Sequence, residues 1–331
     1  MDATHAPIAP PLADLLATAR VVALPLVTRF RGIDVREAML FEGPNGWTEF
    51  SPFAEYDDEE SAAWLAAAID FGWGAEPARL RDRIPVNATL PVVAASDVAG
   101  VLARFPGCRT VKAKVGTVPL AEDVARIAAT RDLLGPDGRI RIDANGTWTV
   151  DEAERAIHAL AEFDLEYVEQ PCATVDELAQ VRKRVKYMGI PIAADESVRK
   201  ADDPLAVARA GAADILVIKA QPLGGITAAL GIAIEAGLPV VVSSALDTSV
   251  GISMGLALAA ALPTLDYDCG LATAALLAAD ITDTPLTPLD GALPVTRVSP
   301  SAALLDQHAA SPERRNWWIA RLERTHALLS Q

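Results

Sequence analysis

The chain has 331 residues, which exceeds the usual size of one domain but fits a barrel of about 250 residues with a smaller attached unit. Hydrophobic residues make up 51% of it, as expected of a globular protein that buries a large core. The 29 Lys and Arg residues against 44 Asp and Glu give a formal charge of −15, which repels nucleic acid and anionic lipid. We therefore expect a small-molecule substrate and neither a nucleic-acid nor a membrane partner. An anionic substrate would need local positive charge.

The three cysteines, Cys108, Cys172 and Cys269, are far apart and form no CxxC pair, which is typical of a reducing compartment. The start, MDATHAPIAPP, lacks the basic and apolar regions of a signal peptide. The most apolar stretch, around Gly251 to Leu262, is shorter than the roughly 18 residues of a membrane span. We expect a cytoplasmic protein. The sequence gives no signal for its oligomeric state and is compatible with a monomer.

Residues 1–85 indicate a small α+β capping domain. The runs VVALPLV and VREAMLFEG alternate like the strands of a hairpin. Residues 57–71 then predict a helix with acidic side chains in its first turn. The tail, residues 286–331, starts rich in turns and ends in a predicted helix over 312–329, which we expect to pack back on the cap.

Residues 86–285 alternate between short β-branched runs and amphipathic stretches. The eight runs, of which the first begins just before this segment, are PVNATL, TVKAKV, IRIDAN, LEYVEQ, IPIAADE, DILVIKA, LPVVVSS and LDYDCGL. The predicted helices between them include residues 120–134, 151–162, 175–185 and 225–236. This pattern predicts a modified TIM (β/α) barrel, with an open doubly wound sheet as the alternative. No GxGxxG or P-loop motif follows any run, so nucleotide-binding versions of the open sheet lose support.

Charged residues stand at the carboxyl ends of five successive predicted strands. Because these ends converge on one mouth of a barrel, we expect the side chains to meet in space. Residues two apart on a strand share a face, so such pairs can point inward together. The strand-end residues are Lys112 and Lys114, Asp143 and Asn145, Glu169, Asp195, and Lys219.

Three carboxylates at one mouth would repel by roughly 4 kcal/mol per close pair at an effective dielectric of about 20. A divalent cation bound by Asp143, Glu169 and Asp195 resolves that conflict. All-oxygen ligands favour a hard ion, so we expect Mg²⁺, for which Mn²⁺ can substitute.

The positions of the four histidines in the sequence argue against a reaction that uses histidine. His5, His308 and His326 fall outside the predicted barrel and His158 lies on a predicted helix, so a serine–histidine hydrolase would lack its base.

A lysine is a base only when deprotonated, and neighbouring positive charge lowers the pKa of a lysine from about 10.4 toward neutrality. Such a lysine beside a metal-held carboxylate can remove the proton from the adjacent carbon. Taken singly, each residue has a simpler explanation, such as a lysine on the barrel rim or Asp195 as a helix cap. Two further alternatives are a Schiff-base aldolase using Lys219 and a non-catalytic barrel that keeps the metal site.

Five motifs resemble the enolase superfamily, muconate-lactonizing subgroup: KAK at 112–114, DAN at 143–145, EQP at 169–171, ADES at 194–197 and IKAQPLGG at 218–225. GWTEFSPF at 46–53 resembles the strand that closes the family's N-terminal domain, so the resemblance covers nearly the whole chain. It implies that the three acids bind Mg²⁺ and that Lys114 is the general base and then the acid. Lys219 would stabilise the enediolate from the opposite face, and Lys112 would assist Lys114.

Within the subgroup, the short cap and SSALDTSVG at 243–251 resemble enzymes that dehydrate 2-succinyl-6-hydroxy-2,4-cyclohexadiene-1-carboxylate in menaquinone biosynthesis. Racemisation of N-succinylamino acids or epimerisation of dipeptides by the same machinery is the alternative. The acidic residue of the seventh-strand loop is Asp247, where related enzymes often carry Glu. We expect Ser243, Ser244 and Asn145 to contact substrate, although the serines could instead satisfy backbone groups.

Overall fold

The computed structural model describes residues 9–200 and 203–330. Residues 1–8 of the predicted cap, which include His5, and residue 331 of the predicted tail therefore lie outside the described residues.

The N-terminal unit is a three-stranded antiparallel sheet, with its strands in chain order and a helix across it. The predicted hairpin is confirmed: Phe30 pairs with Ile33 across a two-residue turn, Arg31–Gly32. Asp57 caps the following helix by accepting a hydrogen bond from the backbone N–H of Glu60 at 2.8 Å. The elements are α1 (Leu12–Thr18), β1 (Arg20–Phe30), β2 (Ile33–Gly43), β3 (Gly46–Phe50) and α2 (Asp58–Trp73).

A seven-stranded parallel sheet follows, with its strands in chain order. It corresponds to the first seven predicted runs, so the barrel prediction is confirmed and the open doubly wound sheet was wrong. The strands are β4 (Arg83–Pro85), β5 (Ala88–Leu90), β6 (Thr110–Lys114), β7 (Arg139–Asp143), β8 (Leu165–Glu169), β9 (Ile192–Ala194), β10 (Ile215–Ile218) and β11 (Val240–Val242). Of these, β4 lies outside the parallel sheet.

The eighth predicted run closes the barrel, but only through two isolated bridges. Cys269 bridges Val86 beside β5, and Gly270 bridges Ser243 just after β11. A Cβ atom on Gly270 would lie 2.5 Å from the Ser243 Oγ, so a side chain at position 270 would displace the Ser243 hydroxyl.

Helices cover the outer face of the sheet. The helices observed over 120–134 and 175–185 have the predicted bounds. Thr149 and Thr174 form capping boxes at the starts of the helices Val150–Leu160 and Val175–Val185. Within the described part of the chain, no helix is both long and apolar enough to cross a membrane. The helices are α3 (Val98–Leu102), α4 (Leu120–Leu134), α5 (Val150–Leu160), α6 (Val175–Val185), α7 (Glu196–Arg199), α8 (Ala206–Arg209), α9 (Ile226–Ala236) and α10 (Ser249–Ala261).

The C-terminal segment contacts both parts of the molecule. It contains β12 (Ala292–Pro294), which pairs with β4, then α11 (Ala302–Gln307) and α12 (Pro312–Leu329). Trp318 and Leu322 of α12 are buried with Phe50 and Trp64 in the apolar core of the N-terminal unit. α12 thereby packs against α2.

Side chains fill the barrel lumen on the amino side of the strand ends. Tyr167, Ile215, Val217 and Val241 form a buried cluster there, and the buried Arg141 guanidinium lies 4.8 Å from the Tyr167 ring centre. The pocket at the strand ends therefore has a closed floor.

Candidate active site

The carboxyl ends of the strands and the N-terminal unit line one pocket. Its wall contains seven of the nine predicted site residues, namely Lys112, Lys114, Asn145, Asp195, Lys219, Ser243 and Ser244. The other two, Asp143 and Glu169, are buried directly behind the lysines. The five charged strand ends therefore converge, as the strand spacing predicted.

The two lysines of β6 each meet a carboxylate of the next strands. Lys112 Nζ lies 2.8 and 3.0 Å from the two Glu169 oxygens and 3.4 Å from Asp143. Lys114 Nζ lies 2.5 Å from Asp143 Oδ2 and 2.8 Å from Asn145 Oδ1. Burial alone would lower the pKa of Lys112, but the charges of Glu169 and Asp143 outweigh burial and raise it well above its usual value. Lys112 therefore acts as a fixed positive charge.

The carboxylates of β7 and β8 are neighbours in register, because Asp143 pairs with Glu169 across the sheet. Both side chains are fully buried. Burial, followed by the charge of Asp143, raises the pKa of Glu169 to about 7. Asp143 is also penalised by burial, yet Lys114 and Lys112 hold the pKa of its carboxyl well below the usual range.

A second ion cluster lies across the pocket, at the ends of β9 and β10. Lys219 Nζ is 2.5 Å from Asp195 Oδ2, and Arg199 Nε is 3.1 Å from Asp195 Oδ1. Burial lowers the pKa of Lys219 even though the Asp195 charge opposes it. Arg199 was not among the residues predicted from the sequence. Its position four residues after Asp195, on the same helical turn, was the available signal.

The carboxylates of the site are the candidate ligands of a divalent cation. In the described residues, the three acids face lysine or arginine, and no group of three His, Cys, Asp or Glu side chains is arranged to hold a metal ion as it stands. The donor chemistry nevertheless fits a hard cation, since Asp143, Glu169 and Asp195 offer only oxygen, are buried, and follow neighbouring strands.

The three predicted substrate contacts have other partners in the structure. Asn145 accepts a hydrogen bond from Lys114 and donates one to Glu196 at 3.2 Å. The hydroxyls of Ser243 and Ser244 both face the carbonyl oxygen of Gly270, at 3.4 and 2.7 Å. To donate to a substrate carboxylate, the serine hydroxyls must turn away from that carbonyl.

The outer wall of the pocket comes from the N-terminal unit. It consists of Phe30, Arg31, Phe53, Tyr56 and Trp64. Tyr56 also accepts a hydrogen bond from Arg199 at 3.2 Å, which ties this unit to the Asp195 cluster. None of these residues was predicted to line the site, because they are remote from the barrel motifs along the chain.

Asp247 is a buried residue of the loop between β11 and α10, and its charge acts on Glu49 of β3. The Glu49 carboxylate accepts hydrogen bonds from Ser51 Oγ at 2.6 Å and from the backbone N–H groups of Thr248 and Gly251 at 3.1 and 3.2 Å. Burial, followed by the Asp247 charge, raises the pKa of Glu49 to about 7. These hydrogen bonds hold the start of α10, and with it the loop after β11, against the N-terminal unit.

Two family patterns match the chain. The pattern described as Enolase C-terminal domain-like matches residues 95–300, and Enolase N-terminal domain-like matches residues 21–72.

Similar proteins extend the match to nearly the whole chain. An o-succinylbenzoate synthase from Mycobacterium bovis is 54% identical over 326 residues, 98% of each chain. One from Thermobifida fusca is 56% identical over 319 residues, 95% of this chain and 98% of the relative. The solved structure of muconate lactonizing enzyme from Pseudomonas fluorescens, complexed with muconolactone, matches with a TM-score of 0.74 at 20% identity and covers 88% of this chain and 98% of that chain.

Proposed function

This chain belongs to the enolase superfamily, and we propose that it dehydrates 2-succinyl-6-hydroxy-2,4-cyclohexadiene-1-carboxylate to o-succinylbenzoate in menaquinone biosynthesis. The observation that carries the proposal is the identity of 54–56%, over nearly the full length, to relatives that bear the name o-succinylbenzoate synthase. The chain is thus a carbon–oxygen lyase.

The charge of the pocket supports an anionic substrate. Five cationic side chains line it, against two carboxylates in its wall and two more buried behind the lysines, although the chain as a whole carries a formal charge of −15. The cations are Arg31, Lys112, Lys114, Arg199 and Lys219, the wall carboxylates are Asp195 and Glu196, and the buried ones are Asp143 and Glu169. This is the local compensation that an acidic protein needs for an anionic substrate.

In the proposed reaction, Lys114 Nζ removes the proton from the carbon beside the ring carboxylate, and the electron pair moves into that carboxylate to give an enediolate. The resulting Lys114 ammonium then returns the proton to the departing hydroxyl group, so that water leaves and the ring becomes aromatic. Lys219 supports the enediolate by its positive charge from across the pocket. Lys112 holds Glu169 in place through its two hydrogen bonds.

Enolase superfamily members depend on a divalent metal ion, and we propose Mg²⁺, or Mn²⁺ in its place, for this chain. Asp143, Glu169 and Asp195 would hold it, and when bound it would offset the negative charge that develops on the substrate carboxylate. Asn145, Ser243 and Ser244 are proposed as further substrate contacts from their place in the pocket wall.

Two further predictions stay part of the proposal. The first is the division into a cap of residues 1–85, a barrel of residues 86–285 and a returning segment of residues 286–331. The second is a cytoplasmic location, in keeping with three cysteines that are all free of disulfides.

An ultraviolet assay of the Mg²⁺-loaded enzyme tests the proposal, because the product is aromatic and the substrate is not. We expect turnover on the cyclohexadiene carboxylate. Sodium borohydride should not trap Lys219, because trapping would indicate a Schiff base. Absence of turnover under conditions where a relative is active would refute the named reaction.

Racemisation of N-succinylamino acids is the second candidate. Lys114 and Lys219 line the same pocket from strands four places apart, and burial lowers the pKa of Lys219, so both could exchange protons with a carbon held between them. Deuterium exchange at the α-carbon of an N-succinylamino acid, without any dehydration activity, would favour this function.

A further inference from the structure

The positive charges that line the pocket differ in how they are neutralised. Lys112, Lys114 and Lys219 each lie within 2.8 Å of a carboxylate oxygen. Arg199 is paired with both Asp195 and Glu196. These four cations therefore serve the carboxylates already present in the site.

Arg31 is the exception among the pocket cations in the described part of the chain. It has no carboxylate partner there, and its hydrogen bonds go to a single neutral group, the Tyr56 hydroxyl, at the long distance of 3.4 Å. Its guanidinium lies 4.2 Å from the centre of the Phe53 ring, which orients the group without neutralising its charge. Arg31 thus presents an oriented and unpaired cation to the pocket.

The backbone also places Arg31 in an unusual way. It occupies the first position of the two-residue turn between β1 and β2, with a φ of 50°. A turn of this kind normally takes Asn, Asp or Gly at that position, because a long side chain in the left-handed region is disfavoured. A strained arginine at the edge of a pocket is a reason to look for a ligand.

The neighbouring residue relates this turn to the reacting end of the pocket. The Phe30 ring centre is 5.7 Å from Lys114 Nζ, and Arg31 follows Phe30 directly in the chain. Phe30, Arg31 and Lys114 all line the pocket, so a substrate whose reacting carbon lies at Lys114 has Arg31 in the wall of the same pocket. The substrate of the proposed reaction has a second carboxylate at the end of its succinyl arm.

We infer that Arg31 binds the distal carboxylate of the substrate and so selects succinyl compounds over those that end in an uncharged group. The inference rests on the proposed function for the identity of the dicarboxylate. Arg31 is a specificity-determining residue that does not touch the reacting carbon, so its loss should raise KM far more than it lowers kcat.

Calorimetry on the Mg²⁺-loaded full-length protein tests this with two stable ligands. One is the product, o-succinylbenzoate, and the other is butyrylbenzoate, in which a methyl group replaces the distal carboxylate. The wild type should bind the product at least about tenfold more tightly, as expected for one hydrogen bond to a charged group. Arg31→Met should lose that preference while binding butyrylbenzoate as the wild type does, which also shows that the variant is folded. Arg31→Lys should restore part of it.

Lys200→Met is the matched control. Lys200 lies 4.3 Å from the Tyr56 ring centre on the same side of the molecule, but it pairs with Glu60 at 3.3 Å and does not line the pocket. It should keep the full preference for the product. An unchanged preference in Arg31→Met would overturn the inference while leaving the proposed function intact. A wild type that dehydrates nothing and shows no preference between the two ligands would overturn both.

Discussion

Replacing Glu49 by Gln should change how the stability of the protein depends on pH. Glu49 is fully buried between β3 and the start of α10, and the nearby charge of Asp247 acts with burial to raise its pKa to about 7. Hydrogen bonds from Ser51 and Thr248 and the charge of Arg36 oppose the rise but do not cancel it. The folded protein therefore holds a proton on Glu49 under conditions in which an unfolded chain has released it.

The sign and size follow from this difference in proton binding. The ordinary pKa of the group is 4.5, so between pH 4.5 and about 7 the folded state binds more protons than the unfolded state. The free energy of unfolding must then fall as pH rises through that window and level off above it. At about 1.4 kcal/mol per pH unit, the gap between the two pKa values corresponds to about 3 kcal/mol. Glu49→Gln carries no such proton and should lack this contribution.

Urea unfolding followed by tryptophan fluorescence, at several pH values from 5 to 8, measures the effect. The free energy of unfolding of Glu49→Gln relative to wild type should rise by up to about 3 kcal/mol between the ends of the window. Glu59→Gln, at an exposed position of α2, is the control and should follow the wild type. If Glu49→Gln also parallels the wild type at every pH, then Glu49 is ionised throughout and the reasoning is wrong.

Three further outcomes are expected. Lys114→Ala should lose about 10²- to 10⁴-fold in turnover yet still bind metal, and near-normal dehydration in it, with failure in Lys219→Ala instead, would reassign the base. Asp195→Asn should weaken Mg²⁺ binding measured by calorimetry, and full wild-type activity after exhaustive chelation would contradict the metal requirement. Gly225→Ala should lower the free energy of unfolding by about 2 kcal/mol or more, since its Cβ would lie 2.6 Å from Asp70 Oδ2 at a φ of 119°. An unchanged urea midpoint would show that Asp70 moves aside without cost.

The fold was largely predictable because its signals are local. Side chains alternate along a strand and recur with helical period along a helix, so the first seven runs and the helices over 120–134 and 175–185 were readable from the sequence. The eighth run was predicted as a strand and forms only two bridges, to Val86 and Ser243. Its pairing depends on closure of the barrel, because those two partners are far apart in the chain.

The sequence by itself determined which barrel residues meet, because the carboxyl ends of parallel strands must share one mouth, and this brought Lys114, Asp143 and Lys219 together. Only the tertiary structure decided which residues of the N-terminal unit complete the pocket. Arg31 lies 83 residues before Lys114 in the chain, and no local period relates a hairpin turn to a strand end. Their meeting depends on how the N-terminal sheet packs over the barrel, which is set by the summed shape and polarity of many buried contacts, among them the one between Glu49 and the start of α10.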